Sequence, residues 1–155
     1  MQSKGSQVAG FTLVELVIVI VVLAIISAYA IIKSTSPAEV TLPSQAETMA
    51  SALRHTQALA YTSGQRRRVS ALNGNTYSVA ICGGSPITCP TTESTVTLQN
   101  SVTFTDVSPV TLYFNTLGQP DGKATFTLRA GGASKTVCVA AVTGLVSVQD
   151  SSSCP

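Results

Sequence analysis

The chain has 155 residues, a length that fits one domain of ordinary size once an N-terminal segment is set aside. Nine Lys and Arg stand against seven Asp and Glu, and this formal net charge of +2 excludes the strongly basic balance of a dedicated nucleic-acid binder. The apolar excess is concentrated in one block near the N-terminus and the rest is rich in Ser, Thr, Gly and Val, which describes a membrane-inserted stem carrying a polar, mostly β head.

Residues 1–10, MQSKGSQVAG, are short and polar and read as a leader. Residues 11–32 hold one charge, Glu15, and as a helix of about 33 Å they suffice to cross the hydrocarbon core of a bilayer. Pro37 and Pro43 then interrupt the pattern, since each lacks a backbone donor and restricts the residue before it. Residues 33–63 continue as an amphipathic segment. Leu42, Ala46, Met49, Leu53 and Ala60 share one face, Gln45, Glu47, Arg54 and Gln57 take the others, and the spacing predicts a helix over 44–62. Ser44 followed by Glu47 predicts a capping box at its start, and Gly64 its stop.

Residues 64–155 form the β-rich head. Two β-rich runs around Asn73-Gly74 predict a hairpin. Further Val, Thr, Phe and Tyr runs predict strands at 95–99, 102–107, 110–115, 123–129, 135–142 and 145–149, separated by turn residues. The expected class is α+β, with an antiparallel β-sheet packed on the amphipathic helix.

Four cysteines, Cys82, Cys89, Cys138 and Cys154, all follow the apolar block, and an even number in an exported small domain favours disulfides. Three pairings exist; the sequence-local one, Cys82 with Cys89 and Cys138 with Cys154, is preferred. Zinc needs tighter Cys or His pairs, and the lone His55 is far from every cysteine, so no metal and no cofactor is expected. His55 is expected on the exposed side of its helix. No carboxylate pair, nucleophile elbow or phosphate loop accompanies it, and the reading is not an enzyme. Asp121, in a Pro-Asp-Gly-Lys turn, is weighed as a calcium ligand and read as a turn residue.

A carboxylate buried in lipid costs a few kcal/mol, so Glu15 needs water or a positive partner. A cut between Gly10 and Phe11 supplies one: the new amine lies four residues before Glu15, on the same chain or on a neighbour. The stretch Gly10-Phe11-Thr12-Leu13-Val14-Glu15 before a long apolar helix resembles the class III signal of type IV pilins and type II secretion pseudopilins. The resemblance implies that a prepilin peptidase removes the leader after Gly10 and methylates the amine of Phe11. It also implies that Glu15 recruits the subunit by neutralising Phe11 of a neighbour, and that the apolar helix is held in the inner membrane before it enters the filament core. Two other readings compete with it. A secretory signal cut after Ala28-Tyr29-Ala30 is disfavoured by the length of the apolar run and by the carboxylate within it. A plain anchor leaves Glu15 without a purpose.

In the second half, Val110-Thr111-Leu112-Tyr113-Phe114-Asn115 running to Gly118-Gln119-Pro120-Asp121-Gly122, with Val142-Thr143-Gly144-Leu145-Val146 further on, resembles the GspH/FimT group of minor pilins and pseudopilins. That group usually has Gly-Arg-Val where this chain has Gly144-Leu145-Val146. Some of its members bind DNA through basic residues near that motif, and the basic feature here is Arg66-Arg67-Arg68. In a strand Arg66 and Arg68 point one way and Arg67 the other, and a solvated strand end that discourages edge pairing is the favoured reading of the run. The resemblance implies a type IV pilin-like fold and a minor pilin or pseudopilin that initiates, caps or decorates a filament; an MSHA-type pilus is one setting. The head would lie in the periplasm before assembly. The implied partners are other pilin-like subunits, prepilin peptidase and the inner-membrane assembly platform with its cytoplasmic ATPase. The alternatives are a DNA-binding competence pilin, or a major pilin or adhesive subunit.

Overall fold

The computed structural model describes residues 12–33, 37–71, 74–105, 110–150 and 154, with side chains of the first stretch given as far as residue 28. The chain divides into two compact units, Met1–Thr35 and Ser36–Pro155. In the first, helix α1 runs over Leu13–Lys33. Thr12 caps it: its Oγ1 accepts the Glu15 amide at 3.2 Å and its carbonyl accepts the Leu16 amide at 3.2 Å. Over its described side chains the helix has no polar face: the large apolar ones from Leu13 to Ile26 stand 43–80% exposed. A helix apolar all round is at home in lipid or among other apolar helices. Taken over the described residues alone, no helix is long and apolar enough to cross a membrane. The described side chains of α1 end at residue 28, while its backbone continues to Lys33, 21 residues or about 31 Å in all.

The second unit opens with helix α2, Pro37–Ser63, seven residues ahead of the predicted start. Pro37 takes the first position, where a missing amide costs nothing. Pro43 lies inside the helix with its ring exposed. Ser44 is therefore no cap. Its hydroxyl donates to the Thr41 carbonyl at 2.8 Å, and its own carbonyl accepts the Thr48 hydroxyl at 2.8 Å. Packing overrides the proline: Ala38 and Leu42 continue the stripe of Ala46, Met49, Ala50, Leu53, Thr56 and Ala60, all buried. Burying side chains such as Leu42, Met49 and Leu53 contributes about 1.5–3 kcal/mol each.

The strands are β1 Arg66–Ala71, β2 Thr76–Gly83, β3 Thr88–Thr97, β4 Thr103–Phe104, β5 Val110–Phe114, β6 Ala124–Ala130, β7 Ala133–Val139 and β8 Val146–Gln149. They form two antiparallel sheets of four strands each, β3-β2-β1-β5 and β4-β6-β7-β8. The predicted first hairpin exists, with Ala71 opposite Tyr77; Gly74 has φ +100°, and Asn73 lies outside the described residues. Strand β3 begins seven residues earlier than its apolar pattern suggests. Pairing with β2 holds the polar stretch from Thr88 onward, and one register shift leaves Glu93 as an extra residue between the Val79·Ser94 and Ala80·Thr92 pairs. The predicted strand at 102–107 is reduced to Thr103 and Phe104, with 106 and 107 outside the described residues. Strand β7 stops at Val139, where a turn takes over: the Gly144 amide bonds the Ala140 carbonyl at 3.0 Å, and the Ala140 amide bonds the Leu145 carbonyl at 3.1 Å.

Helix α2 packs on strands of both sheets. One row of the core is Val79, Val69 and Leu112 across β2-β1-β5; another runs through Phe126, Val137 and Val148. Tyr77 of the first sheet meets Phe104 of the second edge to face, with ring centroids 6.4 Å apart. Two disulfides join Cys82 to Cys89 and Cys138 to Cys154, the latter fixing a residue near the C-terminus to β7.

Tyr77 is 1% exposed, and burial pushes its phenol above the ordinary value of 10.0. The folded state thus holds its proton more tightly than the unfolded chain. That contribution is whole below about pH 10 and is lost as pH rises through the folded value. Thermal denaturation at pH 8 and at pH above about 10 should show an alkaline loss of stability that Tyr77→Phe reduces; an identical loss in the variant would refute the assignment.

Candidate functional site

Gly10 and Phe11, which flank the predicted cut, lie outside the described residues. The described residues start at the Thr12 cap. Thr12 and Glu15 have the spacing of a capping box, with Glu15 in the first turn, where the helix dipole favours a negative charge. Glu15 is exposed, as are all the described neighbours along α1. This arrangement offers an apolar cylinder with one carboxylate near its start. Chemically it can associate; nothing in it can catalyse.

In the second unit, polar side chains of α2 grip turns that are distant in sequence. The Gln57 side-chain amide donates to the Gly118 carbonyl at 3.0 Å and to the Thr143 carbonyl at 3.2 Å. It thereby ties the turn after β5 and the turn before β8 to the same helix position. Both turns come so close that glycine is needed. Gly118 has φ +73° and Gly144 φ +67°, and a Cβ on Gly144 would stand 2.3 Å from Gln57 Nε2. At the other end of the helix, a Glu39 carboxylate oxygen accepts the Gly132 amide at 3.1 Å in the turn between β6 and β7. Arg54 donates to the Val146 carbonyl at 3.0 Å. Its ion pair with Glu47, 3.8 Å long between side chains 50% and 63% exposed, adds little. Sequence reasoning found the apolar stripe of α2 and missed these three anchors. A polar residue on a helix looks alike whether it meets water or a carbonyl; the paired glycines at 118 and 144 were the available signal.

The turn that follows β5 is built by its own residues. Asn115 Oδ1 accepts the Leu117 and Gln119 amides, both at 2.9 Å, and Asp121 Oδ1 accepts the Tyr113 amide at 3.1 Å. Asp121 is thus a turn residue. Among the described residues no three His, Cys, Asp or Glu side chains gather in a way that would hold a metal.

The arginine run divides as strand geometry requires. Arg67 is 4% exposed, points to the α2 side of the sheet and pairs with Glu93, which only the register shift in β3 brings within reach. The buried guanidinium gives its charge to that carboxylate through Nη1, while its Nε has no hydrogen-bond partner. Arg66 and Arg68 are partly exposed on the other side. Arg66 and Ile87 stand in the walls of two clefts, of about 640 and 310 Å³, at one end of the first sheet. His55 is exposed on α2, at a smaller cleft of about 250 Å³ that Glu93 and Tyr77 also border.

Comparison with known families places the prokaryotic N-terminal methylation motif on residues 5–31 and the type II transport protein GspH on residues 45–144. The second match covers about two thirds of the chain. The chain belongs to the GspH family. Its members are pilin-like structural proteins and not enzymes. In this GspH-family chain the matched region ends on Gly144, the glycine pressed against Gln57, and includes Gly118 as well. A search of curated proteins gives no match. Among solved structures, two crystal forms of the Pseudomonas aeruginosa type IV minor pilin FimU are similar. One has a TM-score of 0.56 at 16% identity, covering 74% of this chain and 92% of FimU. The other has a TM-score of 0.54 at 15% identity, covering 74% and 97%. At such identity the likeness is one of fold: a helix on antiparallel β-sheets, as the sequence predicts.

Two substitutions test these contacts. Gly144→Ala should destabilise the head by about 1–3 kcal/mol, whereas Gly83→Ala, with no neighbour within 4 Å of an added Cβ and no positive φ, should change stability far less. Equal thermal midpoints for the two would refute the close-approach argument. Glu93→Ala leaves the buried Arg67 without its partner and should cost about 3–5 kcal/mol in denaturant unfolding; a cost below about 1 kcal/mol, the range of an exposed pair, would show that Arg67 finds water instead.

Proposed function

We propose that this GspH-family protein is a minor pilin or pseudopilin, cut after Gly10, methylated on the amine of Phe11 and assembled through α1 into a type IV pilus or a type II secretion pseudopilus, where it initiates, caps or decorates the filament. The observation that carries the proposal is α1 itself. It is apolar on every side and capped by Thr12, and its one carboxylate stands four residues after the junction, inside the segment that matches the N-terminal methylation motif. A helix of that kind has no stable place in water. Lipid serves before assembly and the helices of other subunits serve after it. The likeness of the head to a type IV minor pilin supports the minor position.

The proposed partners are other pilin-like subunits, a prepilin peptidase and the inner-membrane assembly platform, with the helix in the inner membrane and the head in the periplasm until assembly. The amine of Phe11 neutralises Glu15 of a neighbouring subunit, a pairing worth far more in a low-dielectric helix bundle than in water. The DNA-binding alternative loses ground because Arg67 is occupied, which leaves two cations of the run for phosphate.

N-terminal sequencing of the mature protein should begin at Phe11 and mass spectrometry should find one added methyl group. A start at Gln2 or Ile31 would remove the reading. Glu15→Ala should be processed normally yet enter filaments about tenfold less well, as a charge pair of about 1.4 kcal/mol predicts. Incorporation equal to that of the parent would separate Glu15 from assembly.

A further inference from the structure

The arginine run is the charged motif that assembly through α1 leaves unused. Within it Arg67 is an internal residue, and the other two are not. Arg66 and Arg68 alternate with Arg67 and Val69 along β1, so they share the face of the first sheet that turns away from α2, about 7 Å apart. The register places Arg68 between Ala80 of β2 and Tyr113 of β5, and the exposed Thr92, Thr95 and Thr111 lie on the same face.

Two cations at that spacing repel each other unless an anion joins them. Among the described residues the ion pairs are Arg54 with Glu47, Arg67 with Glu93 and Lys135 with Asp150, and none includes Arg66 or Arg68. The Arg68 Nε is buried and has no hydrogen-bond partner. The acid that borders the Arg66 cleft is Asp121, and one of its oxygens is taken by the Tyr113 amide. Beside Arg66 lie the two clefts with Ile87 in both walls and with Asn115 and Gln119 in the smaller.

We propose that this face is a binding site for an anionic glycan, a sugar chain bearing carboxylate or sulfate groups, with Arg66 and Arg68 holding two of its charges and the clefts beside Arg66 receiving a ring. The charge density decides the ligand class. Duplex DNA carries one charge per about 1.7 Å and is held by many phosphate contacts, and single strands need a row of aromatic platforms. This face has two cations and one half-buried tyrosine amid hydroxyls and amides, which suits a ligand whose charges are sparse and whose remaining surface is hydroxyl. Guanidinium forks match carboxylate and sulfate oxygens through paired, charge-assisted hydrogen bonds.

The test uses the full chain in detergent micelles, unassembled, so that its outcome is independent of filament formation. The probes are polygalacturonate oligosaccharides, heparin oligosaccharides, neutral dextran and a short duplex DNA. Salt-sensitive binding to at least one anionic glycan, with none to dextran, is expected. The double variant Arg66→Ala, Arg68→Ala should weaken it about tenfold or more, while Lys123→Ala, exposed on the second sheet's side of the head, should not. If the double variant loses the parent's thermal midpoint, Arg66→Glu at the end of the strand replaces it, and the same weakening is required. Absence of binding to both anionic glycans, equal loss in Lys123→Ala, or tighter binding of the DNA than of either glycan would overturn the proposal.

Discussion

Eight side chains of α2, from Ala38 to Ala60, are taken out of water by strands that belong to two different sheets, and the head depends on that shared burial. Four of the eight are alanines, which let the helix lie close to both sheets, while Leu42, Met49 and Leu53 reach between them. Among the described residues α2 packs on strands of both sheets, so the helix is a core element common to both. Burial alone is non-directional, however, and would tolerate a slide along the helix axis. Glu39, Arg54 and Gln57 prevent the slide, each ending on a backbone group of a particular turn or strand. The apolar stripe thus supplies the free energy and the polar anchors supply the register.

The glycines that carry the family pattern acquire a physical meaning in this frame. Gly118 and Gly144 come from turns 26 positions apart and meet the same glutamine because each has positive φ and no Cβ. The departure from the usual motif is also legible. Leu145, where the group has arginine, is 69% exposed, whereas Val146 beside it is buried and offers its carbonyl to Arg54. The change therefore alters the surface of the final turn and leaves its packing intact.

How much of this could be read from the chain depended on whether the signal was local. The stripe of α2 was visible because helical periodicity survives whatever it packs against, and β6 because Phe126, Leu128 and Ala130 alternate with polar residues. The α+β class followed from those two patterns. The start of α2 was misplaced because a proline is a strong local stop and the apolar contacts that overrule it are distant. Ser44 and Glu47 matched a capping box that the structure does not form, while Thr12 and Glu15, with the same spacing, enclose a real helix start. The polar first half of β3 carries no alternation, so only its pairing with β2 reveals it. Arg67 gave the alternation correctly but hid its partner, since Glu93 lies 26 residues away and reaches it through an irregularity in the ladder. The division of the strands into two sheets is a fact of topology, and no residue spells it.

The Thr12 cap bears on the proposed maturation. A helix start normally leaves its first amides in need of acceptors, and here the Thr12 hydroxyl serves that of Glu15 while its carbonyl accepts the first regular helical bond, from the Leu16 amide. Both acceptors lie on the mature side of the Gly10-Phe11 junction. The proposed cleavage there would leave both of these acceptors in place. Under the proposed cut, the amine of Phe11 is not needed to cap the first turn, which Thr12 already caps, and its charge is left for a Glu15 carboxylate.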